Sequence, residues 1–483
     1  MKKIIITAWL LILAISGVFA QTKMAPGYYA VFFTDKQDTV FSLDAPQKYL
    51  SGKAIERRTK FNIPIDSTDL PVSPVYIDSL KKLGFQIWLK SKWLNAVVVK
   101  CDDSLQLAKL DSLSFVKHDT NFHKPKPKTE QYAYKVKYDK GLLLDLDTLP
   151  DKYNYGQGAT QINMLNGRYL HNLGYTGKGV TIAVLDAGFY KVNEFKAFEK
   201  MREEGRLLGW YDFVSNDTTV FNGGEHGLAA LSDMASNEKG FVGTAPEASF
   251  WLFRTENGES EYKLEEFNWV CAAEFADSVG VDVISSSLGY NTFDDTTMNY
   301  TYEDMDGNTA ISTIGADYAA QKGILVIVSA GNEGGDPWKY ISAPADGDSV
   351  ISVGAVNFRG KPAFFSSYGP TYDGRIKPDG SALGVFTTVI GGKGRITYLS
   401  GTSFSGPTYA GLVACLRQAH PDKSVKEIIT ALHMAGNKAN DPEVQMGYGI
   451  TDFYLAHLIL TYYDFEKGKS TSPKLKVKKI KLN

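Results

Sequence analysis

The spacing of apolar residues divides the chain into two parts of different character. In the N-terminal part, short apolar runs are separated by charged segments, which predicts a mixture of strands and helices. The predicted elements are strands at 28–33, 85–89 and 94–99, helices at 46–60, 75–83 and 104–110, and a last short strand near Val116. We therefore predict a small α+β unit at residues 21–122, and no catalytic constellation is recognisable in it.

The second part alternates nearly continuous apolar runs with helical stretches. The runs lie at 180–185, 249–253, 281–287, 324–328 and 350–353, and the helical stretches lie at 226–234, 262–278 and 310–322. Runs of this kind are typical of strands that are buried on both faces. Strand, helix and strand in succession predict a parallel sheet flanked by helices on both faces. We predict an α/β unit of this kind at residues 157–460.

The first twenty residues have the pattern of an export signal. Two lysines precede the apolar run Ile4 to Ile15, and Val18-Phe19-Ala20 supplies a small-residue exit before Gln21. A membrane anchor is the alternative, but the run is short for a span, and no later segment is long and apolar enough to cross a bilayer. We expect residues 1–20 to be removed and the protein to be secreted, to the periplasm or beyond the cell.

Two basic segments lie outside the predicted units. His123 to Lys128 alternates lysine with proline, so we expect an extended and exposed linker at 123–156 that carries a processing site. The C-terminal tail, 461–483, ends in a lysine-rich run. This tail could be disordered, could form a final strand, or could direct the protein to envelope or membrane surfaces.

Composition narrows the function classes. The 483 residues carry a formal net charge of -2, which gives no electrostatic reason to expect nucleic acid as a partner. The three cysteines are Cys101, Cys271 and Cys415, and two of them lie in apolar helical runs, so we predict no structural disulfide.

Four polar residues follow predicted strands or begin predicted helices. Asp186 ends the run 180–185, and Asn332 follows the run 324–328 in a loop. His226 begins a helix after two glycines, and Ser403 begins another, with Pro407 expected in its first turn. Working residues of parallel sheets gather at the carboxyl ends of the strands. Each residue also has a simpler reading as a turn former, a loop residue or a helix cap.

Taken together, the four residues indicate acyl transfer. A serine hydroxyl needs a neighbouring base to become a nucleophile, and that base needs an orienting carboxylate. Of the seven histidines, only His226 stands at a glycine-lined helix start, and the other six fit surface or packing roles.

The blocks around these residues resemble those of the subtilisin-like serine proteases. The blocks are Val184-Leu185-Asp186-Ala187-Gly188, Glu225-His226-Gly227, Ser287-Leu288-Gly289, Ser329-Ala330-Gly331-Asn332 and Ser400-Gly401-Thr402-Ser403-Phe404-Ser405-Gly406-Pro407. The similarity extends over roughly Gly174 to Ala456. The chain departs from the family pattern at Ala187, Leu228 and Phe404-Ser405, which affects specificity and rate more than reaction type.

The resemblance implies a role for each block. Asp186 would orient His226, His226 would be general base and then general acid, and Ser403 would be the nucleophile. Asn332 and the Ser403 backbone N–H would bind the oxyanion. The segments Ser287-Leu288-Gly289 and Ser329-Ala330-Gly331 would bind extended peptide or protein substrate and line the first specificity pocket, and no charge occurs in them.

The resemblance further implies that the first unit is an inhibitory, fold-assisting propeptide, which would make the protein a monomeric zymogen. It implies no cofactor, although relatives often hold structural calcium. The acidic runs Asp294-Asp295 and Glu303-Asp304-Met305-Asp306 are candidates, and we favour no specific metal site. A catalytically inactive, peptide-binding relative is an alternative. A serine esterase of another fold is disfavoured because Gly-x-Ser-x-Gly is not met at Ser403.

Overall fold

The computed structural model describes residues 21–118, 130–139 and 150–482. The expected export signal and the basic segment 123–128 therefore lie outside the described residues. We call residues 21–118 the N-terminal unit and residues 150–482 the C-terminal unit.

The N-terminal unit is built on a four-stranded antiparallel sheet. Its elements are β1 (Gln21–Ala25), β2 (Tyr28–Phe32), α1 (Gly52–Lys60), α2 (Pro74–Lys82), β3 (Gln86–Ser91), β4 (Ala96–Lys100) and α3 (Ser104–Leu107). The strand order is β1-β2-β4-β3. The expected short strand near Val116 is a single bridge between Phe33 and Val116. The predicted α+β unit is present.

The remaining elements begin with one strand between the two units and continue through the C-terminal unit. They are β5 (Tyr132–Tyr138), α4 (Ala159–Met164), α5 (Gly167–Asn172), β6 (Thr181–Asp186), α6 (Glu199–Glu203), β7 (Leu207–Asp212), α7 (Glu225–Ala235), β8 (Asn237–Glu238), β9 (Phe241–Val242), β10 (Ser249–Arg254), α8 (Lys263–Val279), β11 (Val283–Ser286), α9 (Ile311–Gln321), β12 (Leu325–Ser329), β13 (Ile351–Val356), β14 (Gly380–Leu383), β15 (Thr387–Ile390), β16 (Ile396–Leu399), α10 (Thr402–Ala419), α11 (Val425–Met434), α12 (Phe453–Tyr462), β17 (Tyr463–Asp464), β18 (Lys469–Ser470) and β19 (Leu475–Lys481).

Seven strands of the C-terminal unit form one parallel sheet in the order β14-β13-β12-β11-β6-β10-β7. The core strands β6, β11, β12 and β13 are buried along their whole length, as their continuous apolar runs predicted. One apolar core lies on the side of α7 and α10, and another lies on the side of α8 and α9. The predicted α/β fold with helices on both faces is confirmed.

The sheet of the N-terminal unit buries its two faces against different partners. Residues Ala30 and Phe32 of β2 belong to the core that includes α8 and α9, whereas Val31 belongs to a separate core with α2. Neighbouring residues of a strand point to opposite faces, so this division follows from the pleat. The N-terminal unit thus covers the α8 and α9 side of the C-terminal unit.

The predicted linker and the C-terminal tail each contribute a strand to one small sheet. β5 lies within the predicted linker, 123–156, and pairs in antiparallel fashion with β19 of the tail. Of the three possibilities for the tail, the structure shows the final strand. The linker expectation holds only in part, because residues 132–138 are ordered into this pair.

The helix that carries Ser403 begins earlier than expected. α10 begins at Thr402, so Pro407 lies inside the helix and not in its first turn. Proline has no N–H, so the Ser403 carbonyl lacks its usual partner four residues on. The Ser287 hydroxyl donates a hydrogen bond to this carbonyl oxygen over 2.9 Å. The residue after β11 thereby supplies the hydrogen bond to the Ser403 carbonyl that Pro407 cannot donate.

The three cysteines are free and buried. Among the residues that the structure describes, none of the helices has the length and apolar character that a membrane crossing requires.

Candidate active site

Asp186 stands at the carboxyl end of β6, in the middle of the parallel sheet. It is fully buried, and its Oδ1 accepts a hydrogen bond from the Ala187 backbone N–H over 2.7 Å. The same Oδ1 lies 2.8 Å from Nδ1 of His226. An ionised carboxylate only accepts, so the imidazole donates from Nδ1 and keeps Nε2 for a partner.

His226 is the second residue of α7, and the glycine after it allows the close approach. A Cβ at Gly227 would lie 2.3 Å from the Gly188 carbonyl oxygen, so a larger residue would push the helix start away from β6. The His226 side chain is 39% exposed, whereas Asp186 is buried. The negative charge of Asp186 raises the pKa of His226, and burial opposes this effect.

Ser403 is the second residue of α10 and is 7% exposed. Its carbonyl is held by Ser287, and the neighbouring Thr402 carbonyl accepts a hydrogen bond from the Ser329 hydroxyl over 2.8 Å. The two serines belong to the ends of neighbouring strands, β11 and β12. They fix the first turn of α10 against the carboxyl edge of the sheet.

Phe404, in the first turn of α10, also packs near the ring of His226. The ring centroids of Phe404 and His226 are 5.8 Å apart. Phe404 is adjacent to Ser403 and is buried, so it packs the nucleophile-bearing turn against the imidazole. The structure thus brings the neighbourhoods of Asp186, His226 and Ser403 to one edge of the sheet.

Asn332 is held by its side-chain oxygen. Its Oδ1 accepts hydrogen bonds from the Thr402 backbone N–H over 2.9 Å and from the Thr402 hydroxyl over 3.1 Å. These bonds use the acceptor end of the amide and orient the side chain beside the start of α10. Neither of these bonds uses the NH₂ group of the Asn332 amide. An oxyanion donor needs its N–H groups available in this way.

In each of the two predicted substrate-binding segments, the first serine is buried and supports α10, whereas at least one other residue is partly or fully exposed to solvent. Ser287 and Ser329 are buried and bond to α10, whereas Gly289 is exposed. Leu288 and Gly331 are partly exposed, and Ala330 is buried. Sequence reasoning did not predict that the two hydroxyls hold the helix of Ser403.

A carboxylate cluster beside the site was missed from the sequence. Glu256 follows β10 by two residues, and oxygens of Glu256, Glu261 and Glu265 lie within 4.8 Å of one another. Glu256 accepts hydrogen bonds from the hydroxyls of Tyr290 and Thr255. Glu256 and Glu265 are buried, and the only sequence signal was four glutamates in ten residues, 256–265, after a predicted strand.

Burial dominates the electrostatics of this cluster. Burial, with repulsion from the other glutamates of the cluster, raises the pKa of Glu256 to about 8 and that of Glu265 to about 10. Burial, with repulsion from Glu266 and Asp294, raises the pKa of Glu261 to about 7. The cluster is therefore able to hold protons near neutral pH, or to face a cation. When Glu256 is ionised, its charge also raises the pKa of His226.

The acidic runs considered for calcium are occupied by local hydrogen bonds. Asp295 contacts the Lys23 ammonium over 2.8 Å, and Asp304 accepts from the Thr301 N–H and hydroxyl. Asp306 accepts from the N–H groups of residues 308 and 309. An ammonium and several backbone donors compete with a cation for these oxygens, so these runs do not fit a calcium cage.

Comparison with known proteins gives family matches over both units. The model of the subtilase family of peptidases, S8, matches residues 177–450, and a model of the S8 propeptide domain of Bacteroidota matches residues 28–137. Subtilisin NAT of Bacillus subtilis subsp. natto is 28% identical over 355 residues, which cover 71% of this chain and 76% of that protein. The serine protease AprX of Bacillus subtilis is 30% identical over 301 residues, covering 56% of this chain and 63% of its own.

Among solved structures, MycP1 from Mycobacterium smegmatis has a TM-score of 0.51 at 20% identity, covering 68% of this chain and 90% of its own. This likeness supports the fold alone. The family match covers more than half of the chain and includes Asp186, His226, Asn332 and Ser403. With its parallel sheet, its propeptide domain and its subtilisin relatives, the chain belongs to the subtilase family and is a serine endopeptidase.

Proposed function

We propose that this protein is an exported serine endopeptidase, made as a self-inhibited zymogen, in which Asp186, His226 and Ser403 form the catalytic triad. The observation that carries the proposal is the 2.8 Å contact between Asp186 and His226, at the same sheet edge where α10 presents Ser403. Peptides and proteins are the substrates of such an enzyme.

In the proposed reaction, Nε2 of His226 accepts the proton of the Ser403 hydroxyl as its oxygen attacks the peptide carbonyl. Asp186 accepts a hydrogen bond from Nδ1, which fixes the tautomer and stabilises the imidazolium. His226 then gives the proton to the leaving amine, and an acyl-enzyme remains on Ser403. Water, deprotonated by His226, hydrolyses that ester and restores the serine.

The tetrahedral intermediate carries a negative oxygen. We assign its two donors to the amide of Asn332 and the backbone N–H of Ser403. Ser403 lies in the first turn of α10, where N–H groups have no partner within the helix and the dipole favours negative charge. Removal of one such donor in a subtilisin costs about 2.7 to 4 kcal/mol of transition-state stabilisation.

Substrate binding is proposed along Ser287-Leu288-Gly289 and Ser329-Ala330-Gly331. An extended peptide can pair with exposed backbone as an added strand, and Gly289 offers such a backbone. Both segments are uncharged, which favours an apolar or uncharged side chain before the scissile bond.

The zymogen proposal is supported by the contact between the two units. The N-terminal unit buries one face of its sheet against α8 and α9, and a propeptide model matches it. We propose that it inhibits the peptidase as a monomer until the chain cuts itself, and that residues 1–20 direct export beforehand. The proposed chemistry uses protein groups alone, without a cofactor.

A fluorophosphonate probe tests the triad, because it labels an activated serine. We expect labelling of the processed wild-type enzyme and none of Ser403→Ala, with kcat reduced by about 10⁶, as for a subtilisin that lacks its nucleophile. Ser405→Ala is the matched control, because this buried serine lies two residues away in the same helix and its hydroxyl donates to the Thr402 carbonyl. Labelling that survives in Ser403→Ala would refute the assignment of the nucleophile.

Chain length tests self-processing. Purified wild-type protein should become shorter, whereas Ser403→Ala should stay full length. If both stay full length, the chain does not process itself. Inhibition is tested by activity that rises as the N-terminal unit is lost, and activity that does not change would exclude it.

A further inference from the structure

The strand β5 raises a question about where the peptidase begins. The propeptide model matches residues 28–137, so it includes most of β5 together with the N-terminal unit. The contacts of β5 lie elsewhere. Its neighbours belong to the C-terminal unit, and the chain from 130 to 139 is described as one ordered piece.

The backbone of β5 is engaged along its whole length. It pairs with β19 from Tyr132 opposite Lys481 to Tyr138 opposite Leu475. Outside that ladder, the Tyr134 N–H donates to the Ala439 carbonyl over 2.6 Å. These partners lie in the last fifty residues of the chain, far from the N-terminal unit in sequence.

The segment entering β5 is fastened by a side chain. Gln131 donates from Nε2 to the Gly374 carbonyl over 2.9 Å and accepts from the Ile376 N–H over 2.6 Å. In addition, the Tyr448 hydroxyl donates to the Tyr132 carbonyl over 3.0 Å. Three separate regions of the C-terminal unit therefore hold residues 131–134.

The inward face of β5 is part of the main core of the C-terminal unit. Tyr134 is buried in it together with Leu475 of β19 and the apolar faces of α10 and α11, and Val136 packs against it. The N-terminal unit contributes to the other two large cores instead. Loss of β5 after a cut behind it would remove part of this core and leave β19 without its partner strand.

We propose that β5 is the first strand of the mature peptidase: the maturation cut precedes it, and residues 130–139 stay covalently joined to the C-terminal unit. The proposal rests on the self-processing proposed above. It assigns β5 to the enzyme, although the propeptide model extends over it.

The N-terminus of the processed enzyme tests this directly. Edman sequencing and intact mass of the mature wild-type chain should give a first residue before Glu130. A first residue beyond Glu130 would overturn the proposal, including the case in which a cut β5 stays bound without a covalent link.

A matched pair of variants gives a second test on the processed enzyme. Tyr134→Ala removes a buried ring, whereas Lys135→Ala changes the exposed neighbour on the opposite face. If β5 is retained, the mature Tyr134→Ala enzyme melts several degrees below wild type, and mature Lys135→Ala melts with wild type. If β5 is discarded, all three mature enzymes have the same sequence and the same melting temperature, which would refute the proposal. If Tyr134→Ala does not fold, Val136→Ala replaces it as the milder change.

Hydrogen exchange tests the assignment even if the chain fails to process itself. In full-length Ser403→Ala, Asp277→Ala should loosen the N-terminal unit, because Asp277 binds Arg57 and Arg58 of α1. The amides of β5 and β19 should keep their protection while those of β2 and β4 lose it. Loss of β5 protection together with β2 and β4 would place β5 with the N-terminal unit and overturn the inference.

Discussion

One propeptide model matches three of the four strands of the N-terminal sheet and most of the strand β5, yet the sheet and β5 are attached to the peptidase by different means. The sheet has its own second core, with Val31 and α2 on its far face, and meets the C-terminal unit at α8 and α9. β5 has no core of its own among the described cores and completes that of the C-terminal unit. A continuous sequence match therefore does not define a structural unit.

The two contacts also differ in their charges. Arg57 and Arg58 of α1 contact Asp277 over 2.6 and 2.9 Å, and Arg58 also contacts Asp69 over 2.6 Å. All four side chains are buried. The β5 and β19 pair instead presents lysines to solvent. Buried ion pairs add to the apolar contact of the N-terminal unit, whereas β5 is held by backbone pairing and apolar packing.

Removal of the shared carboxylate should have the largest effect. Asp277→Ala leaves two buried guanidinium groups without this partner, a change that costs about 3 to 5 kcal/mol. We expect opening of the N-terminal unit to become easier by that amount, measured by hydrogen exchange in the Ser403→Ala chain. Lys53→Ala is the control, because the pair of Lys53 with Asp282 is partly exposed and should contribute about 0 to 1 kcal/mol. Equal effects would contradict the distinction between the two pairs.

Shortening a buried side chain of β19 should weaken the contact between the β5 and β19 pair and the core of the C-terminal unit. Leu475 is buried against the core of the C-terminal unit, so Leu475→Ala should cost about 2 kcal/mol, the lower end of the range for a buried leucine. Exchange should accelerate in β5 and β19 and stay unchanged in β2 and β4. Acceleration in β2 and β4 would show that the two contacts are not independent.

The stability of the contact between the N-terminal unit and α8 should depend on pH through two carboxylates, Asp277 and Glu274, whose pKa values are shifted in opposite directions. Burial raises the pKa of Asp277, but Lys92 and Arg58 together lower it by more than burial raises it. The pKa of Asp277 is therefore below its ordinary value. Its contribution is present above the unfolded value of about 3.9 and is lost as pH falls through the folded pKa. For Glu274, burial raises the pKa. Its contribution is present below the unfolded value of about 4.3 and is lost as pH rises through the folded pKa.

Exchange of the N-terminal unit should therefore be slowest near pH 4, after correction for the intrinsic pH dependence of exchange. Asp277→Asn should flatten the acidic side of the profile, and Glu274→Gln should flatten the other side. A profile that these two variants leave unchanged would mean that other groups control the contact.

The smallest effect concerns the exposed lysines of the retained strand. Lys137 lies opposite Lys476, and Lys135 lies opposite Lys478. Like charges directly opposite each other destabilise a strand pair. Lys476→Glu should stabilise the β5 and β19 pair by about 0.2 to 1 kcal/mol, measured by exchange at low salt, and added salt should reduce the gain. A gain that persists in high salt would point to a cause other than charge.

Much of the fold followed from the sequence because buried strands leave a strong signal. The runs at 180–185 and 324–328 became β6 and β12 with shifts of a single residue. The positions of Asp186 and His226 followed because glycines mark the tight approach of α7 to β6. Pro407 was expected in the first turn of α10, because proline is favoured there, but the helix begins at Thr402. Pro407 is tolerated inside the helix because the Ser287 hydroxyl donates to the Ser403 carbonyl, which has no N–H partner at Pro407.

By itself, the sequence determined the parallel sheet, and it predicted the two units and the four polar residues at one sheet edge, since periodicity and glycine-rich turns are local properties. Only the tertiary structure decided that Glu256, Glu261 and Glu265 form one buried cluster, and that β5 pairs with β19 over more than three hundred intervening residues. The physical reason is that burial and strand pairing depend on which distant surfaces meet. No local pattern in a lysine-rich tail specifies its partner.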